Sequence, residues 1–322
     1  MLLRRREWMA LTAGVWLLPA GATQHEQRRL FGSPADLLVP PGTAPGVTAA
    51  VWRGLEAMHS RWNAWKPGDV TALNQAFAQG RAALVTPALR DLIVGAAAME
   101  RLSLGHFNAG IGALVGQWGF HDDVMRPGVR PRAADLAPWV AARPSLAQLQ
   151  VRGLEVRSLN PRLQLDFGGY AKGVALDWAL DQLHRAGVAH ALLNLGGNLA
   201  ATGRNWRVGV RDPHGAALMA QLSTQGREAV VTSGSYERFR VLDGQRCTHI
   251  LDPRSGEPAP DLVSVTVVHA SAALADAAAT ALLVAGAAAW SDVARRMGVD
   301  QVLVVDRQGR RQSTPRLAPR LA

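Results

Sequence analysis

Apolar residues return at helical spacing in three early segments, Ala49 to Trp62, Val70 to Ala78 and Pro87 to Leu102. Such spacing lines one face of a helix with hydrophobic side chains, so three helices are predicted there. Thr86 and Pro87 supply a cap and a first-turn residue for the third. Ahead of them, Leu30-Phe31 and Leu37-Leu38-Val39 predict a short opening strand. Prolines and arginines dominate from Val124 to Pro144, which reads as a surface excursion carrying one short helix.

The period then changes. Strands are predicted at Leu154 to Leu159, Leu163 to Asp166, Ala191 to Leu195, Trp206 to Arg211, Ala229 to Thr232 and Leu262 to His269. Arg238 to Leu242 and Arg246 to Leu251 flank Asp243-Gly244, a dipeptide suited to the positive φ angles of a tight hairpin turn. Two strong helices, Ala171 to Ala186 and Ser271 to Ala285, lie between strands, and Val302 to Val305 predicts a closing strand. A basic tail, 309–322, is expected to fray. Long helices and antiparallel hairpins in one chain indicate an α+β (mixed α/β) architecture, sheets flanked by helices after a helical first third. No fixed-period repeat is present.

Composition adds limits. With 322 residues, 48% of them hydrophobic, the chain can bury a substantial core. Its net charge of +10 raises nucleic acid as a partner, yet the arginines are scattered and no recognition-helix signature appears. Solubility and attraction for anionic small molecules fit the charge better. Residues 1–22 carry Arg4-Arg5-Arg6, an apolar run from Ala10 to Pro19 and the small residues Ala20-Gly21-Ala22. That order predicts a cleavable export signal of the Sec or twin-arginine type, and a periplasmic address. Cys247 is the sole cysteine, which excludes an internal disulfide and leaves no lipid-anchor cysteine after the leader. No CxxC, HExxH or GxSxG occurs, removing the common zinc enzymes and serine hydrolases.

Several polar segments are candidates for chemistry. Lys172 is one of two lysines, the other being Lys66, in a chain that otherwise uses arginine for positive charge. It follows Gly168 and Gly169 at the predicted start of a helix, where backbone and ammonium can meet an anion, although two glycines there can also be turn residues only. Asp276 and Thr280 stand four apart on a predicted helix, so a carboxylate and a hydroxyl share one face; they suit a magnesium ion completed by substrate phosphates, or merely cap and solvate the helix. His249 ends a hairpin strand, either as a proton acceptor or as a packed strand histidine. Trp62 and Trp65, with Phe107, Trp118 and Phe120 around a glycine-rich stretch, offer flat rings for a flavin or for the core.

In order along the chain stand Phe31-Gly32-Ser33, Ser60-Arg61-Trp62 ahead of Leu73-Asn74, Phe107 to Gly112, Trp118-Gly119-Phe120 and Asp166 to Gly173. Asn194-Leu195-Gly196-Gly197, Thr232 to Arg238, His249 to Gly256 and Asp276 to Thr280 follow. Together they resemble the ApbE family, the FAD:protein FMN transferases. The resemblance implies one flavin transferase domain over 29–308. It implies magnesium-dependent transfer of FMN from FAD to a serine or threonine hydroxyl of an exported acceptor protein, with AMP released. By the same resemblance His249 assists the hydroxyl; Gly169, Asp276 and Thr280 hold the metal; and Phe31, Trp62, His106, Phe107, Asn108, Asp166, Lys172 and Ile250 contact FAD. Phe31 stands where methionine is common in the family, Trp62 where tyrosine is, and Asn108 and Ser235 where aspartate is. Hydrolysis of FAD to FMN and AMP, or FAD binding without turnover, are the alternative activities.

Overall fold

The computed structural model describes residues 9–11, 15–18, 23–215 and 217–322. The chain opens with strands β1 (Met9–Leu11), β2 (Val15–Leu18), β3 (Gln24–Leu30) and β4 (Ser33–Val39), then helices α1 (Pro45–Arg61) and α2 (Asp69–Ala78). Next come β5 (Ala83–Leu84), α3 (Pro87–Leu102), α4 (Gly112–Gln117), α5 (Ala133–Ala141), β6 (Leu149–Arg152), β7 (Glu155–Ser158) and α6 (Ala171–Arg185). Strands β8 (Ala191–Leu195), β9 (Asn198–Thr202), β10 (Arg207–Arg211), β11 (Leu218–Ser223), β12 (Glu228–Gly234), β13 (Phe239–Leu242), β14 (Gln245–Thr248) and β15 (Leu262–His269) follow. Helix α7 (Ala272–Met297), β16 (Val302–Asp306) and β17 (Arg311–Ser313) complete the chain.

Eight strands form the main sheet in the order β17-β16-β15-β12-β9-β8-β4-β3, with every neighbouring pair antiparallel. One face carries α1, α6 and α7 over the largest core cluster. The opposite face packs Leu192, Leu199, Val230 and Val268 against Trp206, Val208 and Leu222. A third cluster, with Trp118, Phe120, Leu242, Cys247 and Leu251, underlies the β13–β14 hairpin. This is the α+β arrangement that the mixed periodicity implies.

Four local differences from the expectation have physical reasons. Strand β3 is largely polar, since it is a sheet edge with three of its seven residues exposed and one buried. Leu163 to Asp166 is no strand: its apolar residues are buried, but Leu165 N–H and C=O pair with the Asn74 amide (2.7 and 3.0 Å) and Asp166 N–H donates to Ala109 O (2.8 Å). Helix α7 runs past Ala285, because Gly286 at φ 75° kinks it and a second helical segment follows. The tail is docked, not frayed: β17 extends the main sheet, Leu317 is buried, and Arg320 grips both Glu228 oxygens at 2.8 Å. Of the residues read as a leader, Met9–Leu11 and Val15–Leu18 form a hairpin paired with β10, while the others lie outside the described residues.

Candidate active site

The loop that enters α6 is built before the helix begins. Asp166 Oδ1 accepts from Gly168 N–H (2.9 Å), and Phe167 O accepts from Tyr170 and Ala171 N–H (2.9 and 2.8 Å). No side chain caps the helix N-terminus. Most first-turn donors are already used, Ala171 N–H by Phe167 O and Gly173 N–H by Asp276, so what the start of α6 adds for an anion is the Lys172 ammonium together with the positive end of the helix dipole.

Helix α7 crosses α6 closely enough that a Cβ on Gly173 would stand 2.3 Å from Ala272 O. Only a glycine permits that approach. Asp177 on α6 then accepts from Ala272 and Ala273 N–H (2.9 and 3.0 Å) and from Ser271 Oγ (2.9 Å), satisfying the start of α7. The crossing brings the predicted metal residues together. Asp276 Oδ2 accepts from Gly173 N–H (2.9 Å) and Oδ1 from Asn198 Nδ2 (2.8 Å). Thr280 Oγ1 lies 2.8 Å from where a Gly169 Cβ would be, and 3.3 Å from Ser233 Oγ.

Asp276 is 3% exposed. Burial raises its pKa, against the opposing Lys172 charge and the hydrogen bonds from Gly173 and Asn198. A buried carboxylate whose ionisation is disfavoured, beside a hydroxyl and a close backbone turn, is an oxygen donor set suited to a hard cation. Among the described residues no three His, Cys, Asp or Glu side chains converge as a metal cage. One carboxylate and one hydroxyl beside a backbone turn fit Mg²⁺, which takes few protein ligands and keeps positions for phosphate and water.

His249 sits beside the same field. Its Nδ1 lies 2.9 Å from Arg238 O. A carbonyl only accepts, so Nδ1 carries the proton and Nε2 keeps a free lone pair. Burial pushes the imidazole down to about 4, aided by the Arg238 and Lys172 charges and opposed by the Arg238 carbonyl and Asp166. It is neutral near pH 7, as a proton acceptor must be. Asp166 has the opposite balance: burial raises its pKa, but the His121 hydrogen bond (3.0 Å), Gly168 N–H and the Arg238 charge outweigh it and hold the carboxylate ionised.

The aromatic candidates divide. Trp62 is 7% exposed and packs in the main core. Trp65, three residues on, stacks against His121 at 5.4 Å with Arg238 over its ring at 5.2 Å, and is the ring that joins the Asp166–His249 cluster. Trp62 is the residue that closes α1, whereas Trp65 stands on the loop beyond. The Phe107 ring, 3% exposed, packs toward Tyr170 (6.0 Å), and Ile250 is buried too, its N–H on Thr248 Oγ1 and its C=O on Ala259 N–H. Asn108 turns its amide inward, Nδ2 to Pro144 O (2.8 Å) and Oδ1 to Gly110 N–H (2.7 Å). His106 Nδ1 is bonded to Ser103 O at 2.7 Å. Phe31 is half-buried against His59 and takes φ 52°, a left-handed conformation rare for an aromatic residue.

Two site residues escaped the sequence reading as individuals. Glu237 has a buried Oε1 without a hydrogen-bond partner, and burial lifts its pKa to about 7 against Lys172 and Arg211, with Asp276 adding to the rise. Asn198, on Asp276, is the other. Neither has a spacing signal of its own: Glu237 lies within the Thr232 to Arg238 motif and Asn198 directly follows Asn194 to Gly197, but nothing in either segment singles them out.

The family model for the ApbE family matches residues 31–303. A Rhodobacter capsulatus protein named FAD:protein FMN transferase is 39% identical over 97% of this chain, which spans 61% of that relative's length. A Vibrio cholerae serotype O1 protein of the same name is 28% identical over 93% of this chain and 94% of its own. The crystal structure of the apo form of Pseudomonas stutzeri flavinyl transferase ApbE superimposes with a TM-score of 0.79 at 27% identity, covering 93% of this chain and 96% of that one. A match across most of the chain, in the fold and in the segments that meet at the α6–α7 crossing, is what common descent produces, and the chain belongs to the ApbE family.

Proposed function

We propose that this protein transfers the FMN part of FAD to a serine or threonine hydroxyl of an exported acceptor protein, releasing AMP, with Mg²⁺ at Gly169, Asp276 and Thr280. The observation that carries the reading is the convergence at the α6–α7 crossing of an oxygen donor set, the Lys172 ammonium and a neutral histidine. The names of the relatives support it, and the leader pattern of residues 1–22 supports export to the periplasm.

The chemistry follows from the residues. The acceptor oxygen forms a bond to the phosphorus on the FMN side of the pyrophosphate, the bond from that phosphorus to the bridging oxygen breaks, and AMP leaves with the electron pair. His249 Nε2 takes the hydroxyl proton, its ring held by the Nδ1–H bond to Arg238 O. The Lys172 ammonium, in the first turn of α6, draws the diphosphate and offsets charge growing on the leaving phosphate. Bound Mg²⁺ supplies further neutralisation of the phosphoryl oxygens. Trp65, stacked on His121, offers its ring to a flavin or adenine plane.

Incubation with FAD, Mg²⁺ and a candidate acceptor, followed by a denaturing gel, tests the reading. Flavin fluorescence on the acceptor band is expected, and it disappears with Asp276→Ala. Free FMN and AMP without labelling of any acceptor assign a hydrolase instead, and full activity of Asp276→Ala overturns the metal assignment.

A further inference from the structure

Asp276 is held by two donors, and the second comes from across the sheet. Asn198 opens β9 immediately after the turn Gly196-Gly197, whose φ angles are 60° and 93°. Two successive positive φ values define the tightest hairpin connection and fix where Asn198 emerges. The turn is clamped in its own right. Gly196 N–H donates to Pro34 O (3.0 Å), Gly197 N–H to Asn194 Oδ1 (2.9 Å), and Asn194 Nδ2 to Asp36 Oδ2 (3.0 Å). Asp36 Oδ1 in turn accepts from Gln27 Nε2 (2.7 Å) and bonds His25 Nε2 (2.9 Å). Asp36, Asn194, Asn198 and Asp276 are 1%, 0%, 2% and 3% exposed, so a buried polar chain runs from the β3–β4 edge to the α7 carboxylate.

Such a chain is costly to bury unless each member is satisfied, and apolar side chains fill a core at less risk. What this one accomplishes lies at its end. Gly173 N–H holds one Asp276 oxygen and Asn198 Nδ2 the other, which sets the plane of the carboxylate. Each oxygen keeps a further lone pair for a ligand. Groups that orient a metal-binding carboxylate in this way tune metal affinity without touching the metal.

We propose that Asn198, locked by the Asn194–Asp36 pair, is a positioning residue for the cation, fixing the rotation of the Asp276 carboxylate. The proposal rests on Asp276 as a cation ligand. It is tested on the full chain with Mn²⁺ and ADP as probes, ADP supplying a diphosphate, by isothermal titration and by thermal melting. Asn198→Ala is expected to weaken Mn²⁺ binding in the presence of ADP about 10-fold, the size typical of lost outer-shell support. ADP affinity without metal stays unchanged. Asn198→Ser, which keeps a donor on a shorter arm, falls between, and it is the variant read if Asn198→Ala does not fold. Wild-type Mn²⁺ affinity in the Asn198 variant read, alongside a defective Asp276→Ala, overturns the positioning role and leaves the metal site standing. An equal loss of metal-free ADP affinity also overturns it, since that marks general damage. Wild-type Mn²⁺ binding by Asp276→Ala overturns the metal reading itself.

Discussion

Adding one methyl group at Gly169 perturbs the candidate metal site from the backbone side. Gly169 is not among the residues at positive φ, so alanine meets no conformational penalty there and the effect is steric. Its Cβ would lie 2.8 Å from Thr280 Oγ1, 3.3 Å from Thr280 Cγ2 and 3.4 Å from Thr280 Cβ. The first distance is shorter than any ordinary contact, so either the turn or Thr280 must move. Overpacking of this kind costs about 1–3 kcal/mol, or a fall in Tm of several degrees in a chain this long. If Thr280 yields, its hydroxyl leaves the oxygen set, and the Mg²⁺ concentration for half-maximal labelling rises by about 10-fold or more. The assay is acceptor flavinylation against Mg²⁺, with melting in parallel. In Gly169→Ala/Thr280→Ala the clash is gone, so Tm recovers while Mg²⁺ dependence does not, a coupling that a double-mutant cycle isolates. Wild-type Mg²⁺ dependence and Tm in Gly169→Ala would show that the turn relaxes freely, and the claim that Gly169 backbone and Thr280 hydroxyl form one rigid site would fail.

The neutral His249 sets a pH prediction. Its pKa is depressed from 6.5 to about 4, so the acid limb of kcat/KM for the free enzyme is expected near 4, and a limb near 6.5 would refute the depression. His249→Ala is expected to retain FAD, measured by flavin fluorescence quenching, while losing transfer; a large loss of FAD affinity would assign the ring to binding. For Glu237 the folded pKa is raised from 4.5 to about 7, so its ionisation destabilises the fold progressively as pH rises through that window. The full cost above it is about 3 kcal/mol. Glu237→Gln is therefore expected to raise Tm at about pH 8 and leave it unchanged at about pH 4 in melts without metal; equal shifts at both would show that charge is not the cause.

How much was legible in the sequence varies with the distance over which each feature is decided. The α6 and α7 helices, the hairpin at Asp243-Gly244 and the α+β class follow from apolar period and turn chemistry, which act within a few residues. Asp276 and Thr280 sharing a face is likewise a property of one helix. Trp62 against Trp65 was not legible, because which tryptophan ends inside depends on how α1 meets the sheet. The tail could not be read as docked, since its basic residues reveal nothing of the Glu228 carboxylate waiting for Arg320 from a strand 92 positions away.

The chain by itself determined the periodic elements, the glycines that permit close approach and the placing of Asp276 and Thr280 on one helix face. Only the tertiary structure decided that Asn198 and Gly173 hold Asp276 from two different elements, that Lys172 acts on Asp276, Glu237 and His249 alike, and that His249 is neutral. Spacing encodes what neighbours along a helix or strand can share. Burial and electrostatic field arise between segments that only the packed fold brings into contact.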